Sequence, residues 1–328
     1  MRPKSFLVTG GCGFIGRSLI KRLCECFPDS HIRVLDNLSV GTREDLAGVV
    51  DCGVWSGKAA DLSPGVFLIV ADIRSFESVL AASGNVDCVV HLAANTGVGP
   101  SVDDPRYDME ANVFGVFNLL EAARQSGVKK FVFASSGAPA GAVEPPIHEA
   151  IAPRPVSPYG ASKLAGEGYC SAYYQTFGID TISLRFGNVY GPNSGHKSSV
   201  VAKFIKQALR EEVCELYGDG GQTRDYIYID DLVSAVICAI QSRVGGEVFQ
   251  IASGLEVTLV ELVEKIREAL AVHDISLQAK NVDVRLGDVR RNYSDISKAR
   301  RILGWAPKYN LSAGLALTVE YFVSRRLG

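Results

Sequence analysis

A doubly wound α/β fold on a parallel sheet, with a smaller C-terminal substrate domain, is what this 328-residue sequence predicts. Three observations carry that expectation. Short apolar runs alternate with segments of helical periodicity through the first 190 residues, a glycine-rich turn follows the first run, and an acidic residue closes the second. Near-continuous apolar runs mark strands covered on both faces, and their alternation with helices implies βαβ units.

Strands are expected at residues 6–9, 32–36, 67–72, 88–93, 130–135 and 181–186. Between them, 18–26 and 113–124 place apolar residues at helical spacing. After Pro192 the rhythm changes: a polar loop (193–199), a helix (200–211), a turn-rich stretch (217–223), a strand-like segment (248–252) and a helix (259–270). A basic loop around Arg290 and a final helical pair complete the chain. The expected division is a first domain at 1–190, to which the chain returns at about 224–252, and a second at 191–223 and 253–328.

Composition removes several classes of function. Thirty-four Lys+Arg against 36 Asp+Glu leave a formal charge of −2, without the basic excess that nucleic-acid binding uses to displace counterions. The longest apolar runs, 66–71 and 235–240, hold six residues, against about 20 for a membrane helix. The N-terminal apolar stretch ends at Thr9-Gly10-Gly11, too early for a signal peptide, so a cytoplasmic address is expected. Eight cysteines without a C-x-x-C pair and five scattered histidines offer no metal-ligand spacing, and no metal is expected.

The turn Thr9-Gly10-Gly11-Cys12-Gly13-Phe14-Ile15-Gly16 lies between the first strand and a helix, the context a dinucleotide fingerprint requires. Gly10 permits the tight turn, Gly13 a close approach of backbone to pyrophosphate, and Gly16 close packing of helix on strand; the N–H groups of Phe14 and Ile15 face the anion. Asp36, 20 residues beyond Gly16, is placed to hold the adenosine ribose, which favours NAD over NADP on a Rossmann-type sheet. Asn37, the pair Asp72-Ile73 and the run Leu92-Ala93-Ala94 after His91 line the same side. A glycine-rich loop without a ligand is the plainer alternative.

Tyr159-Gly-Ala-Ser-Lys163 opens a helix after Pro158, and its i, i+4 spacing puts phenol and ammonium on one face. A phenol titrates near 10, and a cationic neighbour favours its phenolate, so the pair can act as a base. Ser135-Ser136, at the end of the fifth strand, can bond the same substrate oxygen. Alone, such a pair also describes an ordinary helix surface.

The ordered series T-G-G-x-G-F-I-G, Leu35-Asp36-Asn37-Leu38, Asp72-Ile73, His91-Leu92-Ala93-Ala94, Asn112, Ser135-Ser136, Tyr159/Lys163, the run from Arg185 to Pro192, Gly218-Asp219-Gly220-x-Gln222-x-Arg224-Asp225 and Gly287-Asp288-Val289-Arg290 spans nearly the whole chain. It resembles the extended short-chain dehydrogenase/reductases, and within them the UDP-sugar 4-epimerases. The resemblance implies NAD held with the help of Asn112 and Ser135, and Tyr159 as base on the sugar 4-OH. It gives Lys163 the task of lowering the phenol's pKa, and Ser136 that of bridging substrate and phenol. It also implies Asn188 beside the phosphates, Tyr217 on uracil, Arg224 and Arg285 as a diphosphate clamp, and Asp288 on the uridine ribose. Thr96 and Lys197 would line the sugar pocket, with Lys197 opposite a C6 carboxylate if the sugar is a uronate. Asn292, where relatives place a large aromatic residue, would admit an N-acetyl group. A homodimer formed through two helices of each copy is implied as well.

One segment departs from the family pattern. After Ser136 the chain reads Gly137-Ala138-Pro139-Ala140-Gly141 where relatives carry V-Y-G. The 4,6-dehydratases of this family place an acidic pair there, so the carboxylate-free loop favours epimerisation over elimination. A dehydratase or reductase of the same family, and a non-catalytic NAD-binding sensor, are the competing readings.

Overall fold

The structure is a computed structural model that describes residues 3–58, 62–283 and 290–325. Its strands are β1 (Ser5–Thr9), β2 (His31–Asp36), β3 (Cys52–Val54), β4 (Gly65–Val70), β5 (Cys88–His91), β6 (Lys130–Ser136), β7 (Asp180–Phe186), β8 (Asn188–Tyr190), β9 (Cys214–Tyr217), β10 (Thr223–Arg224), β11 (Tyr226–Tyr228), β12 (Glu247–Ile251), β13 (Val257–Thr258) and β14 (Ala279–Val282). Its α-helices are α1 (Phe14–Cys26), α2 (Arg43–Ala47), α3 (Phe76–Ser83), α4 (Val98–Asp103), α5 (Pro105–Met109), α6 (Gly115–Ser126), α7 (Pro158–Phe177), α8 (Val200–Leu209), α9 (Ile229–Gln241), α10 (Leu259–Ala271) and α11 (Leu311–Ser324).

Eight strands make one parallel sheet in the order β12-β7-β6-β5-β1-β2-β4-β3. Alternate residues of each strand enter opposite cores, as the pleat requires. Phe6, Val8, Ile32 and Val34 pack with Leu19, Ile20 and Leu23 of α1 and with Leu232 and Val236 of α9. Leu7, Leu35 and Val89 face the other way, onto Val79 of α3, Leu119 and Leu120 of α6, and Cys170 and Tyr173 of α7. The sheet is doubly wound, and chain order reverses at β1, between β2 and β5. The crevice at the carboxyl ends of these strands is where such sheets bind ligands.

The chain leaves the sheet after β7 and re-enters it at β12, whose Glu247–Ile251 pair with 182–186 of β7. Around that return, α8, α10 and α11 pack on one another, with α8 against β9 of the parallel pair β9–β14, and Phe204, Ile205, Leu262, Ile266, Val319 and Phe322 are continuous with the α1–α9 core. This is the smaller C-terminal part of the fold. No helix among the described residues is long and apolar enough to cross a membrane.

Candidate active site

The glycine loop is shaped by backbone proximity. Gly10 has φ +70°, and a Cβ there would meet the backbone N of Ala93 at 2.7 Å, so the turn between β1 and α1 lies against the chain leaving β5. No side chain caps α1 at Gly13, so its first N–H groups remain open to an anion. Asp36 is buried, and its two oxygens accept from the N–H groups of Cys12 (2.9 Å) and Leu38 (2.8 Å). Burial raises its pKa and the two backbone bonds oppose that rise. These bonds aim the carboxylate across the loop and leave lone pairs for ribose hydroxyls. A cradle with no room for a Cβ, an uncapped helix N-terminus and a carboxylate at the end of β2 fit a dinucleotide.

Farther along the same edge, Asp72 is gripped by Arg74 through two bonds (3.0 and 2.9 Å) and touched by Asn37 Nδ2 at 3.3 Å. The Arg74 bonds pull its carboxyl down to about 2. Ile73 is buried, and a cavity of about 450 Å³ lined by Asp72, Arg74, Glu110, Phe114 and Asn118 opens beside it, at the edge expected to receive adenine. Leu92, Ala93 and Ala94 are half-buried after β5. His91 is fully enclosed, bonded to Thr9 Oγ1 at 2.7 Å and stacked on Phe133, and burial pushes its pKa down to about 3. It is a neutral core histidine.

The Tyr159–Lys163 turn starts α7. Ser157 caps it by accepting from Gly160 N–H (3.1 Å), and Pro158 occupies the first helical position. Gly160 is required there, because a Cβ would lie 2.8 Å from the Ala138 carbonyl. Lys163 is 4% exposed; its Nζ donates to the Ala134 carbonyl at 2.9 Å and lies 5.8 Å from the Tyr159 ring centre. Burial lowers the lysine to about 8, with Asp108 and then Glu167 opposing. Burial raises the Tyr159 phenol to about 12, a bond with Ser136 opposing and Asp108 adding to the rise. Phenol, Ser136 hydroxyl and ammonium therefore meet at the end of β6.

Ser135 faces elsewhere. Its hydroxyl donates to Glu167 Oε1 at 2.5 Å, and Glu167 also accepts from Arg185 Nε (2.8 Å) and an Arg185 terminal nitrogen (2.7 Å). Asn112 is likewise engaged within the protein. It exchanges bonds with the Asn95 backbone (2.8 and 3.0 Å) and reaches Asp108 Oδ1 (3.0 Å) and Ser162 Oγ (3.1 Å). These contacts hold the loop after β5 against α7. Asp108, Glu167 and Arg185 carried no role in the sequence reading. Glu167 follows Lys163 by one helical turn, and that spacing was the only local signal.

On the opposite side of the crevice, Asn188 Nδ2 donates to the Asp225 carbonyl (3.2 Å) and Tyr217 is half-buried at the end of β9. Arg224 donates to the Thr223 carbonyl at 2.7 Å, and the Asn292 N–H donates to Thr223 Oγ1 at 3.3 Å. Lys197 is half-buried, and burial alone lowers its pKa. Thr96 is exposed, its hydroxyl on the Ala94 carbonyl at 3.3 Å. Arg285 and Asp288 lie outside the described residues. The loop after Ser136 folds as a 3₁₀ turn (Ala138–Ala140) with Pro139 and Ala140 buried.

Residues 6–252 match the model of the NAD dependent epimerase/dehydratase family. A UDP-glucose 4-epimerase from Mycolicibacterium smegmatis is 37% identical over 321 residues, 96% of this chain and 97% of that protein. The crystal structure of a Thermotoga maritima UDP-glucose 4-epimerase with UDP-glucose superposes with TM-score 0.87 at 35% identity, covering 98% of this chain and 99% of that one. The Thermus thermophilus UDP-glucose 4-epimerase complexed with NAD gives TM-score 0.84 at 36% identity, over 97% and 99% of the two chains. With a family match over most of its length and a glycine cradle that fits the dinucleotide, this chain belongs to the NAD dependent epimerase/dehydratase family and takes NAD as its cofactor.

Proposed function

We propose that the chain is a UDP-sugar 4-epimerase that interconverts C4 epimers through a transient 4-keto sugar. One observation carries the choice within the family: the Tyr159–Ser136–Lys163 cluster adjoins the 3₁₀ turn Ala138–Ala140, which has no carboxylate. Removing a C6 hydroxyl as water needs an acid and a base beside the sugar, and this turn supplies neither. Epimerisation needs only a base on the 4-OH that returns the proton it takes.

In this reading Ser136 orients the 4-OH toward Tyr159, and the Tyr159 phenolate accepts its proton. Lys163, whose Nζ is anchored on Ala134, favours the phenolate electrostatically. Bound NAD supplies the hydride acceptor at C4 and the hydride that returns to the opposite face. The Gly10–Gly16 turn holds the pyrophosphate, with Asp36 and Asn37 at the adenosine ribose and Asp72 and Ile73 at the adenine edge. Residues 1–190 and the return at 224–252 carry these cofactor contacts, and the remainder carries the nucleotide sugar. Arg224 and Arg285 grip the diphosphate, Tyr217 the uracil, Asp288 its ribose and Asn188 the phosphate side. Holding the sugar only by its nucleotide lets the ketose present either face. Thr96, Lys197 and Asn292 border the sugar and select among glucose, N-acetylglucosamine and glucuronate types.

The purified protein, given UDP-glucose, UDP-N-acetylglucosamine and UDP-glucuronate separately, is expected to convert at least one to a mixture of C4 epimers without net use of added NAD. A 4-keto-6-deoxy product, or stoichiometric use of nicotinamide, would overturn the reading in favour of a dehydratase or reductase.

We also propose a homodimer through α6 and α7. Phe114 (52% exposed), Phe117, Tyr169 and Phe177 form an apolar surface there, Phe117 and Tyr169 with ring centres 5.6 Å apart. Light scattering is expected to give twice the chain mass, and Phe117→Glu a shift to monomer. A monomeric unsubstituted protein at micromolar concentration would refute the dimer.

A further inference from the structure

Four residues before Asn112 the chain buries a carboxylate with an unsatisfied oxygen. Asp108, in α5, is 1% exposed. Its Oδ1 accepts from Asn112 Nδ2 at 3.0 Å and from Asn95 Nδ2 at 3.3 Å. Its Oδ2 is buried and has no hydrogen-bond partner among the described residues. A buried carboxylate left without a full set of donors is costly unless a cation compensates it.

The contacts lead to the helical turn that carries such a cation. Asn112 Nδ2 reaches Ser162 Oγ at 3.1 Å, and Ser162 donates to the Tyr159 carbonyl at 3.0 Å. Asp108 is thereby connected to the turn that carries both Tyr159 and Lys163. A π-turn (Glu110–Phe114) separates α5 from α6, and Asp108 and Asn112, on either side of its start, both reach toward α7.

We propose that Asp108 is a positioning residue for the catalytic turn, its buried carboxylate serving as the counter-charge of Lys163 while its bond to Asn112 ties the loop after β5 to α7. This rests on the reading of Tyr159 and Lys163 as the catalytic pair. Charges around the lysine support the assignment. Glu167, on α7, is neutralised by Arg185 of β7 and bonded by Ser135 of β6. His91 of β5 is neutral, and the Glu121–Arg124 pair of α6 lies with Tyr173, nearer the far end of α7. Asp108, from α5, is the larger of the two anionic influences on Lys163 among the described residues, Glu167 being the smaller, and it opposes the fall that burial imposes on the lysine. Burial pushes the Asp108 carboxyl up, and Ser162, Asn95 and, last, the charge of Lys163 oppose that rise.

The test combines lysine NMR with a pH profile. In protein labelled with ¹³Cε-lysine, the Lys163 resonance is assigned by its loss in Lys163→Arg and titrated in the unsubstituted protein, Asp108→Asn and Asp108→Glu. Removing the anion is expected to lower the Lys163 midpoint by about one pH unit, with Glu restoring it. The alkaline limb of kcat/KM moves with it. Starting from a lysine near 8, a one-unit fall gives roughly an eightfold loss at pH 8.5 and less than a one-third loss at pH 6.5. A folded Asp108→Asn with an unmoved Lys163 midpoint, or with activity lowered equally at every pH, overturns the proposal. Should that variant fail to fold, Asp108→Ser is read by the same criteria. The NMR midpoint needs no substrate. A midpoint that moves in a protein inactive on every UDP-sugar supplied would sustain the Asp108–Lys163 pairing and overturn the epimerase reading.

Discussion

Tyr159→Phe is expected to lower kcat by at least about a thousandfold, within the range for removal of a general acid–base group, while NAD content and fold stay unchanged. The substitution keeps the half-buried ring over Lys163 and the α7 packing, and deletes one oxygen. That oxygen is the group whose pKa Ser136 lowers against the rise from burial. Without bound ligands it is a poor base: burial has raised it to about 12, and the lysine beside it has been lowered to about 8. The site thus holds the phenol neutral until an added positive charge arrives. An oxidised nicotinamide ring, when bound, would supply such a charge, and the base would then form beside the hydride acceptor. Phe has no proton to take or return, and no neighbour replaces it. Ser136 Oγ already accepts from the Ala138 N–H, and Lys163 is anchored on Ala134. The checks are kcat from C4-epimer analysis, NAD released from denatured protein, and a thermal melt. Activity near that of the unsubstituted protein would remove Tyr159 from the mechanism, and loss of NAD together with activity would make its role structural.

The elements legible in the sequence were those whose signal is local. The sheet strands are covered on both faces, so each reads as an apolar run, and the expected and observed strands differ by one or two residues at their ends. Short strands were not legible: β3, β8, β10, β11 and β13 have two or three residues and exist through pairing with distant segments, as Tyr226–Tyr228 do on 188–190. Helix α9 was hidden for a different reason. It lies between the sheet, α1 and the C-terminal elements, so it is apolar on most sides and its polar stripe is narrow, at Asp230, Ser234 and Gln241. The site divides the same way. The Gly10–Gly16 turn and the Tyr159–Lys163 turn are local and visible as spacing. Asp108, a carboxylate in an acidic stretch with Asp103 and Asp104, looks solvated until the fold buries it. Ser135 looks like a free hydroxyl at a strand end until Glu167, 32 residues on, is seen to accept its hydrogen bond. What such side chains do is decided by long-range burial, which spacing does not encode.

Glu167→Leu is expected to destabilise the protein by about 3–5 kcal/mol, the range for removing one partner of a buried ion pair. The side chains of Glu167 and Arg185 are 5% and 3% exposed, and the guanidinium meets the carboxylate through two bonds. Arg185 Nη1 already has no partner among the described residues, so without Glu167 the buried cation is left almost bare. The effect belongs to the stranded charge, not to a missing attraction. Glu167→Leu combined with Arg185→Met, which removes both charges and keeps most of the volume, is therefore expected to recover most of the loss. Ser135→Ala, which removes one donor from a carboxylate still held by Arg185, should cost about 1.5–3 kcal/mol. Denaturant midpoints of the single and double variants close the cycle. A Glu167→Leu variant within about 1 kcal/mol of the unsubstituted protein, or a double variant no better than the single, would contradict the stranded-charge account. The pair also bears on catalysis, because it joins β6, which ends in Ser136, to α7 one turn beyond Lys163 and to β7. In the double variant, whose fold is restored, any remaining loss of kcat measures how far this pair aligns Ser136 with Tyr159.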